Sequence, residues 1–334
     1  MKAEDRINAF YHLGKKIRGL SEEEFQTLAL SAKLENAWFT VDNVRMSLHS
    51  IGSWLEPTKL LAWTANYDLH IHPRKIAVVM AGNIPLVGFH DFLCVLIAGH
   101  SILIKTSSKD NALIRFIIQE LIRVEPRFED KIEIAERMKN FEAIIATGSD
   151  NTSRYFEYYF SKYPHIIRKN RTSVAIIHGD ETPEQISALG TDIFSYFGLG
   201  CRNVSKIYVP LGYDVTILLA GWESFQDIIH HHKYCNNYDY QKSILLVSLT
   251  TFLDNGFLLL QQSDKLFSPL ALIYYEYYKS TQDLADTLQS SAEKIQCVVE
   301  EREGSEFKFG QAQFPTLGNY ADQIDTLKFL TTLN

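Results

Sequence analysis

The sequence predicts an α/β protein built from two doubly wound α/β domains behind an N-terminal helical segment. Three observations predict it. Apolar residues recur at helical spacing from Ala3 to about Leu61. Beyond Pro73, short β-branched runs alternate with helical stretches, the mark of strands buried on both faces of a parallel sheet. The alternation continues well past Thr172, and 334 residues is chain enough for about two domains.

The opening region reads as helices. Ile7, Phe10, Leu13 and Ile17 form one apolar stripe, and Phe25, Leu28, Leu30 and Leu34 a second, with the capping box Ser21-Glu-Glu-Glu24 between them. A third stripe, from Trp38 through Val44 and Ile51 to Leu55, ends at Pro57. This region is expected to be scaffold rather than chemistry.

At Lys75-Ile-Ala-Val-Val-Met80 the period changes to that of a buried strand. The loop Ala81-Gly-Asn-Ile-Pro85, of the type that borders phosphate sites, leads into an apolar helix from Leu86 to Ala98, and Ser101 to Lys105 forms a second strand. A helix from about Lys109 to Val124, a strand from Ala143 to Thr147, the turn Gly148-Ser149-Asp150 and a helix from Asn151 to Tyr163 follow. Thr172 to Ile177 reads as a further strand, and Glu184 to Tyr196 as a helix-like run. The second unit goes on through a strand at Lys206 to Pro210, a stretch from Val215 to His232 and a strand at Ser243 to Ser248. Phe252 to Gln261, Leu270 to Tyr278 and a last strand near Ile295 to Val299 complete it, before a tail with a short helix. The expected division is 1–72 as the helical segment, 73–182 as a dinucleotide-binding domain completed by 305–334, and 183–304 as a catalytic domain.

A net charge of −7 excludes general affinity for nucleic acid, although it permits a local basic pocket. Four cysteines without a CxxC pair argue against a disulfide framework and for a reducing compartment. The charged start Met1-Lys-Ala-Glu-Asp-Arg6 leads into no apolar core of a leader, and no run reaches the ~18 apolar residues that span a bilayer. A cytoplasmic protein with no membrane span is expected.

The chemistry concentrates in Phe197-Gly-Leu-Gly-Cys-Arg-Asn-Val-Ser-Lys206. Gly198 and Gly200 let the backbone turn sharply and approach a substrate, and Cys201 is the strong nucleophile there. A backbone N–H beside it can stabilise an oxyanion. Cys94 and Cys297, each inside an apolar run, read as core.

With Gly82-Asn83 after a first strand, Lys105 closing a second, and a Gly-preceded cysteine about a hundred residues on, the chain resembles the aldehyde dehydrogenase superfamily. More narrowly, those segments together with Lys233-Tyr-Cys-Asn-Asn-Tyr-Asp-Tyr240 and Asn319-Tyr-Ala-Asp-Gln-Ile-Asp-Thr326 resemble the LuxC-type acyl-CoA reductases. The resemblance implies an aldehyde-dehydrogenase-like fold, Cys201 as the acyl-accepting nucleophile, and Asn83 as an oxyanion donor beside the Cys201 N–H. It implies Lys105 at the cofactor's adenosine ribose, with Ser107 beside it, and a Gly148-Ser149 turn at the pyrophosphate. Lys105 to Lys109 offers hydroxyls and positive charge and no acid before Asp110, which favours NADPH over NADH. The family's hydrolytic members carry a Glu-Leu-Gly-Gly motif, where this chain has Ile167-Arg-Lys-Asn-Arg-Thr172. Loss of that base disfavours oxidation to a free acid and leaves thioester reduction possible. The expected partners are an acyl-CoA or another activated acyl substrate, such as an acyl phosphate, and a homo-oligomer is expected. A non-catalytic scaffold is the alternative.

Other clusters read as structure. His230-His-His232 with Cys235 lacks metal-ligand spacing, so no metal site is assigned. Tyr155 to Phe160 and Tyr274 to Tyr278 read as core or interface packing. Arg168, Lys169 and Arg171 read either as an anion-facing group or as a solvated loop.

Overall fold

The opening helices form as their caps dictate, in a computed structural model that describes residues 1–148 and 150–333. The second stripe is not the expected one: Phe25, Ala29 and Ala32 are buried, whereas Leu30 and Leu34 are exposed. Helix α1 spans Ala3–Arg18, and α2 (Glu22–Glu35) starts at the capping box, where Glu24 N–H donates to Ser21 Oγ at 3.3 Å and Ser21 N–H donates to Glu24 Oε2 at 2.9 Å. Helix α3 (Val41–Trp54) is capped by Thr40, and α4 (Pro57–Thr64) begins with its proline at a position that needs no N–H. Phe10, Leu13, Val44, Leu48 and Ile51 form the buried face of this layer.

Two compact units result: residues 1–170 with 316–334, and residues 171–315. In the first, β1 (Lys75–Val79), α5 (Phe89–Ala98), β2 (Ser101–Lys105), α6 (Ala112–Val124), β3 (Ile132–Ile134), β4 (Ala143–Thr147), α7 (Asp150–Phe160) and β5 (His165–Arg168) follow in order. The sheet is parallel in the order β3-β2-β1-β4-β5. Ala77 and Ile104 are fully buried, as unbroken β-branched runs require.

In the second unit, β6 (Thr172–Ile176), α8 (Pro183–Phe194), β7 (Val204–Pro210), α9 (Thr216–Gly221) and α10 (His232–Val247) precede β8 (Leu253–Asp254), β9 (Leu259–Gln262), β10 (Leu272–Tyr278), α11 (Thr281–Ser290) and β11 (Ile295–Glu300). Its sheet runs β11-β6-β7-β10-β9-β8, parallel throughout except for the β8–β9 pair. The expected strand at Ser243 to Ser248 is instead the last turns of α10. Its apolar residues do not line a strand face: Leu245 is buried with Tyr234 and Tyr238 at helical spacing, while Ile244, Leu246 and Val247 are exposed.

The tail returns to the first unit and ends in α12 (Thr326–Thr331). Arg168, read from the sequence either as anion-facing or as part of a solvated loop, is buried at the end of β5 and grips Asp91 Oδ1 at 2.7 Å, Thr326 Oγ1 at 2.8 Å and the Ala321 carbonyl at 2.8 Å. Neither an anion-facing nor a solvated role fits that burial, because its donors are already used to fasten the tail. Asp325 accepts from Tyr67 OH at 2.8 Å and caps α12, and Asp322 lies 4.0 Å from Arg168. His100 Nδ1 accepts from Arg74 N–H at 3.0 Å, so its proton sits on Nε2 and is donated to the Leu330 carbonyl. Burial lowers the pKa of that imidazole.

Candidate active site

In an open parallel sheet the ligand end is the carboxyl edge, at the strand pair where the winding reverses. Here that pair is β1 and β4, since β2 and β3 lie to one side and β5 to the other. Three predicted elements follow from that edge. Gly82 and Asn83 lie in the loop after β1, Lys105 ends β2 with Ser107 just beyond it, and Gly148 follows β4. Ser149 lies outside the described residues.

Packing explains the glycines. A Cβ on Gly82 would stand 2.7 Å from Ser107 Cβ, so the loop after β1 can pass against the loop after β2 only without one. A Cβ on Gly148 would stand 3.0 Å from Thr152 Cβ, which lets α7 start tightly against the end of β4. Asn83 is exposed. Lys105 Nζ donates to the Glu136 carbonyl at 2.8 Å, and Ser107 Oγ accepts from Lys109 N–H at 3.2 Å.

Residues the sequence did not single out hold this edge together. Asp110 Oδ2 accepts from Leu86 N–H at 2.7 Å, and burial pushes its carboxyl up to about 7. Asn36 Nδ2 donates to the Gly82 carbonyl at 3.2 Å, and Ser47 Oγ to the Pro85 carbonyl at 2.8 Å. The helical segment therefore braces the Asn83 loop. Only a three-dimensional arrangement could announce these pairs, whose partners lie 24 to 46 residues apart.

Cys201 lies in the second unit, in a turn between a 3₁₀ segment (Ser195–Gly198) and β7. It is partly exposed, and its carbonyl accepts from Ser173 Oγ at 3.1 Å. Cys94 and Cys297 are buried, as their apolar runs predict, and burial pushes the Cys297 thiol up to about 11. Asp192, fully buried on α8, accepts from Gly310 N–H at 2.6 Å and Ala312 N–H at 2.9 Å. Burial raises that carboxyl to about 7, against the pull of those N–H groups. His231 packs its ring 4.3 Å from that of Phe197, and among the described residues no group of three His, Cys, Asp or Glu is arranged to hold a metal ion.

The family profile of acyl-CoA reductase (LuxC) matches residues 49–217, just over half of the chain, a stretch that includes Asn83, Lys105, Gly148 and Cys201. The chain belongs to the acyl-CoA reductase (LuxC) family. A long-chain acyl-protein thioester reductase of Aliivibrio fischeri is 23% identical to this LuxC-family chain over 238 residues, covering 64% of it. The chain spans about half the length of that curated relative, 47%. Among solved structures, a putative aldehyde dehydrogenase from Burkholderia cenocepacia superposes with a TM-score of 0.67 at 11% identity, covering 91% of this chain and 76% of that one. An aldehyde dehydrogenase from Bacillus cereus in complex with NAD+ gives 0.63 at 14% identity, with 91% and 72% covered. A glyceraldehyde-3-phosphate dehydrogenase from Methanocaldococcus jannaschii complexed with NADP gives 0.62 at 13% identity, with 87% and 74% covered. These matches show that this LuxC-family chain has the aldehyde dehydrogenase fold. Among the described residues no helix is long and apolar enough to cross a membrane.

Proposed function

We propose that the protein is an NADPH-dependent reductase of activated acyl groups, with an acyl-CoA thioester as its donor and Cys201 as its nucleophile. The observation that carries this reading is the single family match running unbroken from the Asn83 loop to the Cys201 turn. In the proposed reaction the Cys201 thiolate attacks the thioester carbonyl, and the carbonyl's electron pair moves onto oxygen. The Cys201 N–H and the Asn83 amide are the oxyanion donors, each worth about 3 kcal/mol when preorganised. The CoA thiolate then leaves, and the acyl group remains on Cys201 as a thioester.

The carboxyl edge of the first sheet fits a dinucleotide. The close approach at Gly82 and the tight start of α7 at Gly148 both keep Cβ atoms out of the reversal point of the sheet. Lys105 and Ser107 would hold the ribose end, with Gly148 and Ser149 at the pyrophosphate. The absence of any acid from Lys105 to Lys109 favours the 2′-phosphate of NADPH. When bound, the cofactor supplies the hydride that converts the acyl group to an aldehyde. Ile167 to Thr172 contains no carboxylate to activate water, which favours reduction over hydrolysis of the acyl group.

Intact-mass measurement tests the central step. Purified protein and Cys201→Ala are mixed with acyl-CoAs of several lengths, an acyl phosphate and an acyl-protein thioester, without cofactor. The expected result is a mass increase of one acyl group that requires Cys201 and is discharged by NADPH. Folded protein that takes up no acyl group from any donor would overturn the reading and leave a non-catalytic scaffold.

A further inference from the structure

The Cys201 turn is held in an uncommon backbone. Tyr196 (φ 52°), Phe197 (φ 59°) and Gly198 (φ 77°) are three successive left-handed residues, a conformation glycine adopts freely and tyrosine or phenylalanine does not. Such a run persists only where its surroundings over-determine it.

Asn203 supplies the surroundings. The residue is buried, with 2% relative exposure, and both polar atoms of its carboxamide are hydrogen-bonded. Nδ2 donates toward the carbonyls of Asp192 at 3.0 Å, Ile193 at 3.3 Å and Ser195 at 2.9 Å, groups that the end of α8 leaves without helical partners. Oδ1 accepts from Gly200 N–H at 2.8 Å, and the Asn203 backbone N–H donates to the Gly200 carbonyl at 3.1 Å. Cys201 and Arg202 are therefore the two central residues of a turn whose first residue is clamped at both polar groups by its last. The far side is fixed as well: Ser173 N–H and Thr172 Oγ1 donate to the Asn203 carbonyl at 3.1 and 3.3 Å.

We propose that Asn203 is the positioning residue of the nucleophile, holding the thiol and backbone N–H of Cys201 in one orientation. The inference rests on the reading of Cys201 as the nucleophile. The chemistry is specific to a carboxamide. An aspartate would set a carboxylate oxygen against three carbonyl oxygens. A leucine of similar size would take the side-chain partner from Gly200 N–H and from the Ile193 and Ser195 carbonyls, leaving the Asp192 carbonyl with Gln313 Nε2 at 3.4 Å.

The test compares wild type, Asn203→Ala and Asn203→Asp by the rate at which iodoacetamide alkylates Cys201 across pH, read by peptide mass, with Cys235 as the internal control. In variants with native circular dichroism, the Cys201 profile is expected to move by roughly one pH unit while that of Cys235 stays in place. With an acyl-CoA donor, kcat is expected to fall on the order of 10- to 100-fold with little change in KM. A variant that melts earlier but keeps the wild-type Cys201 profile and kcat would reduce Asn203 to a helix cap and overturn the proposal. Alkylation needs no acyl donor, so failure of the proposed activity and failure of the clamp are read separately. If neither variant folds, hydrogen exchange on wild type decides: the Gly200 amide is expected to exchange far more slowly than that of the exposed turn at Gly212. Equal rates would overturn the clamp.

Discussion

Asp110 has one carboxylate oxygen 2.7 Å from Leu86 N–H and the other buried without a hydrogen-bond partner. Leu86 itself is left-handed, with φ 55°, so this bond helps hold a strained residue at the foot of the Asn83 loop. Burial raises the carboxyl from 3.8 to about 7, which sets the sign of its pH effect. The folded state binds the proton more tightly than the unfolded chain, so the contribution to stability is fully present below about pH 4 and is lost as pH rises through about 7. At about 1.4 kcal/mol per pH unit the whole effect is at most about 4 kcal/mol. Asp110→Asn keeps the acceptor for Leu86 and cannot ionise. The difference in melting temperature between variant and wild type is therefore expected to shift in favour of the variant between pH 5 and pH 8. A difference that stays constant over that range would show that Asp110 does not titrate there.

Elements were legible where burial repeats along the chain and obscure where it does not. The β1, β2 and β4 runs are almost wholly buried and read as strands at once, whereas β3 and β5 lie at the sheet's two edges and are too short and too exposed to carry a period. The end of α10 misled for the opposite reason: four apolar residues in a row, Ile244 to Val247, mimic a buried strand, yet Val247 is 86% and, just beyond, Leu249 92% exposed. Leu249 ends the helix in a left-handed conformation, with φ 52°, and Thr250 N–H returns to the Leu245 carbonyl at 3.0 Å. Leu249→Gly should therefore stabilise the protein by about 1 kcal/mol, because glycine occupies that conformation without a Cβ penalty and the lost side chain buries little. Urea denaturation measures it. A loss of stability would mean that the segment pairs as a strand, where glycine is unfavourable.

At the scale of the whole molecule, the family match starts at residue 49, inside α3, so most of the helical segment lies outside it. Its apolar spacing marks that segment as scaffold, and Phe10, Leu13, Phe25, Val44 and Ile51 do pack into a core while Leu30 and Leu34 stay exposed, but two of its polar residues reach the loop that carries Asn83. Asn36 and Ser47 were invisible as functional residues because nothing in their own helices distinguishes them. Their partners, Gly82 and Pro85, are 46 and 38 positions away. Ser47→Ala leaves the buried Pro85 carbonyl without its donor, at a cost of about 1–3 kcal/mol in stability. If the Asn83 loop supplies an oxyanion donor, the same change should slow acylation of Cys201 by an acyl-CoA while its alkylation by iodoacetamide, which develops no oxyanion, keeps the wild-type rate. Ser31→Ala is the control, since Ser31 Oγ donates within its own helix, to the Thr27 carbonyl at 2.9 Å. Equal loss of acylation and alkylation would point to general loosening of the fold, and loss of neither would remove the Asn83 loop from the reaction.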